Sequence, residues 1–314
     1  MRPPWQLADV FNRLGDDYTC RQPLSLEQRK AFEAIRRCRT AALGGHIDAC
    51  DQCGYLRISY NSCRNRHCPK CQQLAKEEWL DARLKNLLPV PYFHFVFTLP
   101  HELQPLVQFN ERALYNLLFD AAWRSLHQLA LDPRFVGAHT GMIAVLHTWG
   151  QNLHFHPHIH CIVPAGGWCP KSQKWKPARK HYLLPVKALS RLFRGKFLAA
   201  LKVMQQNQSL VLPHDYSSAS VGKLIQQLYT KEWVVYAKPP FAGPKSLMEY
   251  LARYTHRVAI SNERILNVTD QQVAFRYRDY ADASKIKTMT LDIEEFTRRF
   301  FGSQQAAHVV KNAE

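Results

Sequence analysis

Five of the nine cysteines in this 314-residue chain fall within 22 residues, from Cys50 to Cys71. They are arranged around two Cys-x2-Cys pairs, Cys50/Cys53 and Cys68/Cys71, with 14 residues between the pairs. That spacing restricts the fold more than any other feature. Each pair can clasp one side of a tetrahedral Zn²⁺, and Gly54 and Pro69 suit the tight knuckle turns this requires. Four thiolates are soft ligands, which favours zinc or an iron–sulfur centre over Mg²⁺. Cys63 and His67, inside the loop, are alternates, and His46 just before it leaves a mixed or second site open. Arg64, Arg66 and Lys70 run between and within the pairs, where they are suited either to phosphate contact or to a solvated basic loop.

An odd cysteine count and a first segment, MRPPWQLADVF, without a signal-peptide core point to a reducing, cytoplasmic setting. The formal charge is +17, from 42 Lys and Arg against 25 Asp and Glu, which suits a polyanionic partner. No apolar run approaches the roughly 18 residues of a membrane span. A membrane partner is therefore not expected, and DNA is.

Along the chain, Ser25-Leu-Glu-Gln28 reads as a capping box that opens a helix, with Phe32, Ile35 and Leu43 facing inward. Leu74 to Leu88 is again helical, and Pro89 and Pro91 mark a boundary. Beyond it, 92–98 is a buried strand and 105–130 one long helix. Strands at 141–149 and 158–164 are joined by a polar turn. Helices are expected at 187–206, 219–230 and 244–256, a strand at 232–237, and short strands thereafter. Mixed elements without a regular βαβ alternation indicate an α+β fold on an antiparallel sheet.

Five of the 15 histidines crowd into HTWGQNLHFHPHIHC. His154, His156, His158 and His160 alternate, so an extended strand would put them on one face. His158-Ile-His160, leading into a hydrophobic strand, is the best pair for a divalent ion, because two imidazoles leave several coordination positions open to a phosphate oxygen. A nucleophile is offered by Tyr250 and Tyr254, four residues apart and thus on the same helical face. Arg253, His256 and Arg257 surround them with phosphate-seeking groups. A phenol with an ordinary pKa of about 10 needs such cationic neighbours to react at neutral pH.

The motifs SCRNRHCPKCQ, HTWGQNLHFHPHIHCIVPAGG and YLARYTHRVAIS, in that order, resemble the insertion-sequence-91 family of rolling-circle transposases, the two-tyrosine branch of the HUH endonucleases. The resemblance extends over roughly residues 25 to 300. It implies a helical and zinc-binding DNA-binding domain (1–90) followed by an HUH catalytic domain (91–302) with an antiparallel ferredoxin-like or RRM-like sheet and flanking helices. It also implies Mg²⁺ or Mn²⁺ on His158 and His160, with Gln151 as third ligand and His156 and His256 as competitors. Tyr250 and Tyr254 would be nucleophiles toward single-stranded DNA at transposon ends, in a cytoplasmic, nucleoid-associated protein; a homodimer is compatible with this. Residues 303–314 depart from the family pattern and are expected to be a disordered tail. A replication initiator or relaxase, and a decayed transposase that only binds DNA through its zinc domain, are the competing readings.

Overall fold

The computed structural model describes residues 3–85, 87–179, 182–240, 259–279, 282–302 and 310–313. The chain divides into two compact units that interleave in sequence: Met1–Asp81 with Trp149–Phe155 and His256–Gln305, and Ala82–Thr148 with His156–Thr255 and Ala306–Glu314.

The first unit starts with α1 (Leu7–Leu14), the single turn α2 (Tyr18–Arg21) and α3 (Leu26–Arg37). The expected capping box is present: Gln28 N–H donates to Ser25 Oγ, while Ser25 N–H donates to the Gln28 side chain. An exposed hairpin follows, β1 (Gly45–Ala49) paired antiparallel with β2 (Leu56–Tyr60), and then α4 (Gln72–Leu84), which stops short of the expected Leu88. The core is aromatic. Phe11 stacks on Phe32 at 4.7 Å and on Phe301 at 5.6 Å, and Phe300 meets its edge at 5.5 Å. Nearly complete burial of these rings makes this cluster the principal hydrophobic anchor of the unit. It also explains why residues far apart in sequence belong together.

In the second unit, β3 (Tyr92–Thr98) leads through α5 (Gln104–Phe109) and α6 (Glu111–Leu131) into β4 (Met142–Trp149) and β5 (Phe155–Pro164). A small hairpin, β6 (Gly166–Cys169) with β7 (Lys174–Pro177), precedes α7 (Val186–Gln206), α8 (Ser218–Thr230) and β8 (Val235–Lys238). The long helix expected at 105–130 is broken at Asn110. That side chain donates to the carbonyls of Leu106 and Val211 and accepts from Val211 N–H, so it terminates one helix while tethering a distant loop.

Back in the first unit, β9 (Ile265–Val268), β10 (Gln272–Asp279) and β11 (Lys285–Asp292) form an antiparallel sheet. α9 (Ile293–Gly302) stands where only short strands were expected; its buried Ile293, Phe296, Phe300 and Phe301 recur at helical spacing. Within the segment expected to be a disordered tail, β12 (Val310–Ala313) pairs antiparallel with Met142–Val145 of β4. The backbone edge of β4 supplies hydrogen bonds that composition could not reveal. The expected helix at 244–256 lies outside the described residues.

The five-stranded sheet runs β12-β4-β5-β3-β8. Without β12, the connection β3-α6-β4-β5-α7-β8 is a βαββαβ unit with spatial order 4-1-3-2, the ferredoxin-like arrangement. The antiparallel register sorts side chains by face. The pairs Phe93↔Val163, Phe95↔Cys161 and Phe97↔Ile159 share one face, and Phe97 meets Phe193 of α7 at 5.1 Å. Val96↔His160 and Thr98↔His158 lie on the other. The histidines therefore stand on the face opposite the one where Phe97 meets α7. Among the described residues, no helix is long and apolar enough to cross a membrane.

Candidate metal centres

The first centre forms where α3 ends. Cys38 caps that helix, fully buried, and its sulfur lies 3.4 Å from Cys71 Sγ. Cys63 Sγ approaches Cys71 at 3.7 Å, and Cys68, also buried, completes a group whose four sulfurs all lie within 4.8 Å of one another. Two local devices aim them. Arg64 takes the left-handed conformation at φ 51°, bending the chain just after Cys63. The Cys68-Pro-Lys-Cys71 turn is closed by Cys71 N–H donating to Cys68 O at 3.1 Å. Mutual hydrogen bonds among the four thiols lower those of Cys71 and Cys38 and raise those of Cys63 and Cys68, the behaviour of sulfurs crowded together to share protons or a metal.

The expected tetrad Cys50, Cys53, Cys68, Cys71 is not the group whose sulfurs the structure brings together. Cys68 and Cys71 cluster with Cys38 and the alternate Cys63, while Cys50 and Cys53 sit exposed at the tip of the β1–β2 hairpin. There Gly54 N–H donates to Cys50 O, and the Cys50 thiol is lowered by backbone N–H groups of Gln52 and Cys53 and by the Cys53 side chain. This is a preformed knuckle, but among the described residues no third ligand joins it. Cys38 lies 25 residues before Cys63, without a partner at metal spacing, so pattern reading passed over it. His67 accepts from Arg66 Nε at 3.1 Å and lies outside the cluster; His46 is 3.7 Å from Asp48. Arg64 and Arg66 are exposed, whereas half-buried Lys70 donates to the carbonyl of Cys38.

The second centre comprises His147 of β4 with His158 and His160 of β5, all buried, with one nitrogen each within 4.8 Å of the others. His147 Nδ1 is 3.0 Å from His158 Nε2. The other nitrogen of His158, Nδ1, donates to the carbonyl of His156 at 2.6 Å, which fixes the tautomer and leaves Nε2 as the lone-pair donor. His160 Nδ1 lies 3.0 Å from His94 Nε2 on β3, and the two rings are stacked at 5.2 Å. Burial, followed by the charge of Lys238, pushes His94 down to about 4, so it serves His160 as a neutral hydrogen-bond partner. Three convergent imidazole nitrogens, one of them aimed by the His158 Nδ1 hydrogen bond, fit a divalent ion.

His147 takes the place in this cluster that was expected for Gln151. Gln151 sits in the β4–β5 turn, where its carbonyl accepts a hydrogen bond from the Arg264 guanidinium. His154 is turned instead toward Arg299, at 3.0 Å, and His156 is exposed. His147 heads the quoted histidine run, and a hairpin register between the two strands would have found it. Tyr250, Tyr254, Arg253, His256 and Arg257 lie outside the described residues.

Residues 141–312 match a two-tyrosine transposase family model described as "Putative transposase", and residues 10–99 match one described as "Transposase zinc-binding domain", of the insertion-sequence-91 type. The chain is 47% identical over 300 residues to "Putative transposase y4qJ" of Sinorhizobium fredii, covering 94% of this chain and 75% of that protein. It is 29% identical over 246 residues to the "Transposase for insertion sequence element IS801" of Pseudomonas savastanoi pv. phaseolicola, covering 77% of this chain and 58% of that one. No solved structure matches the chain. The zinc-domain match and the four-cysteine cluster together support a structural zinc in the first unit. The chain belongs to the insertion-sequence-91 transposase family, with that family's zinc-binding domain ahead of its two-tyrosine transposase domain.

Proposed function

We propose that this protein binds DNA and nicks and rejoins single strands at the ends of an insertion sequence, through a phosphotyrosyl intermediate. The observation that carries this is the buried triad His147, His158 and His160, set on two neighbouring strands of a ferredoxin-like sheet within the region matching the two-tyrosine family. A Mg²⁺ or Mn²⁺ ion held by these three nitrogens would supply Lewis-acid polarisation of a phosphate oxygen. The chain itself supplies the rest. The phenol oxygen of Tyr250 or Tyr254 bonds to phosphorus, the bond from phosphorus to the 3′-oxygen breaks, and the phenolic proton ends on the freed 3′-hydroxyl. The ester conserves the energy of the broken phosphodiester, so a 3′-hydroxyl can later reverse the step without ATP. Arg253, His256 and Arg257, beside the tyrosines in sequence, would lower the phenol pKa and hold phosphate. Arg64 and Arg66 would add sequence-independent contacts. The zinc is structural, at Cys38, Cys63, Cys68 and Cys71.

The test is incubation with single-stranded element ends and Mn²⁺, followed by denaturing gels for a covalent protein–DNA adduct. An adduct that vanishes in the Tyr250→Phe/Tyr254→Phe double variant supports the reading. Undiminished nicking by that variant makes water the nucleophile and overturns it. DNA binding without any nicking by the natural chain leaves a zinc-dependent binding protein.

A further inference from the structure

In the second unit, α6, the segment before β4 and the β6–β7 hairpin carry five aromatic residues linked by ring contacts or backbone pairing. On α6, Trp123 and His127 lie one turn apart and stack at 4.8 Å with an interplanar angle of 16°. His127 Nε2 is 3.3 Å from His139 Nδ1, and the two rings are 5.3 Å apart. His139 pairs with Trp168, through backbone hydrogen bonds of 2.9 and 2.7 Å, and Trp168 pairs with Trp175 across the β6–β7 hairpin. Directly paired residues share a face, so backbone pairing carries His139, Trp168 and Trp175 from the helix side onto the hairpin. A Cβ at Gly166 would collide with the Lys176 carbonyl oxygen and meet the Trp175 ring at 2.8 Å, so only glycine admits that ring so close to the backbone. Trp168 is 48% exposed and His139 is exposed.

The surroundings are cationic. Trp168–Arg179 carries Lys171, Lys174, Lys176 and Arg179 and no carboxylate. At the His127 end a hollow of about 550 Å³ opens between α6 and α7, lined in part by Arg124 and Lys196. Arg124 is 3.5 Å from Asp120 and Asp132 is engaged by Arg134, so neither carboxylate cancels Lys196.

Exposed rings in series beside positive charge are what unstacked bases and their phosphates require, whereas duplex bases are already stacked. The geometry points to these rings as a platform for a stretch of single-stranded DNA, with bases on Trp168 and its neighbours and phosphates on Lys196 and the hairpin lysines. The assignment rests on the reading that single-stranded DNA is the substrate, and it places a second stretch of that strand on the protein, independent of the histidine triad.

Fluorescence anisotropy with a labelled 20-mer of dT and a labelled duplex of the same length, both without divalent metal, tests it on the full chain. Trp168→Ala should weaken the single strand about tenfold, within the range of one lost stacking contact, and leave duplex affinity unchanged. Trp168→Phe should keep most of the affinity. Lys196→Ala should lower the slope of log affinity against log salt by about one. In parallel, a 5-bromouracil-substituted strand irradiated on the natural protein should crosslink to Trp168 or Trp175, a readout that needs no variant to fold. Unchanged dT binding by Trp168→Ala, an equal loss on both DNAs, or crosslinks lying elsewhere overturns the platform. If the natural chain forms the tyrosine adduct yet binds dT independently of Trp168, the platform alone fails. If binding depends on Trp168 but no adduct forms with Mn²⁺, the chemistry fails and the platform stands.

Discussion

Cys38, Cys63, Cys68 and Cys71 meet from a helix end and two irregular turns, whereas His147, His158 and His160 stand on adjacent strands whose ladder already sets their spacing. The first group packs on the aromatic core through Cys38 and Cys68, but the loop that carries Cys63 to Cys71 has little regular structure. The neighbouring hairpin β1–β2 is exposed along almost its whole length, an arrangement marginal in water on its own. The second group rests on a sheet with aromatic packing on its other face, such as Phe97 against Phe193 and Phe193 against Trp233. Metal binding should therefore be inseparable from folding at the cysteines and separable from it at the histidines.

The largest effect that could break this contrast is zinc loss. Cys68→Ser, or strong chelation, should remove a binding free energy on the order of 10 kcal/mol from the folding of the cysteine segment. Zinc content should drop and circular dichroism should report lost structure. Cys50→Ser, at the exposed hairpin tip, should do far less. Equal effects of the two substitutions would restore the tetrad expected from the paired motifs.

At the histidines, His147→Ala should leave the melting curve nearly intact yet reduce adduct formation on the order of 10²–10³-fold, the scale of a missing metal-assisted term of several kcal/mol. Retained activity in this variant, with Gln151→Ala inactive, would return the third-ligand role to Gln151. His94→Phe removes only the partner of His160 Nδ1, so Mn²⁺ affinity measured by titration should weaken about 10- to 100-fold.

The smallest effect concerns acid. Hydrogen bonds from Arg298, and then Arg299, hold Glu295 of α9 down at about 2. Its unfolded value is about 4.3. Because the folded value is depressed, this contribution is fully present above the unfolded pKa and is lost as pH falls toward about 2. Glu295→Gln should flatten the acid limb of the first unit's stability below about pH 4.3 and change little at pH 7. A parallel acid limb in the variant would show that the pair is solvated and energetically silent.

Features set by neighbours in the chain were legible in the sequence. Ser25 and Gln28 cap their helix, and Phe32 and Ile35 are buried on it as periodicity required. His158 and His160 share a face because two residues of strand separate them. Two cysteines of the cluster, Cys68 and Cys71, come together through the turn their own spacing dictates. The family followed from three motifs taken in order.

Other features were decided only when distant segments met. The ladder that sets β4 beside β5 makes His147 a member of the histidine cluster, and the end of α3 delivers Cys38 to sulfurs 25 or more residues away. The β4 edge gives residues 310–313 a strand partner, and burial of Phe300 and Phe301 against Phe11 and Phe32 draws α9 into the first unit. Local spacing governs turns, caps and the facing of side chains, because their energies arise within a few residues. The completion of a metal site depends on which backbone edge is free to pair and which apolar faces find each other, and these are properties of the whole fold.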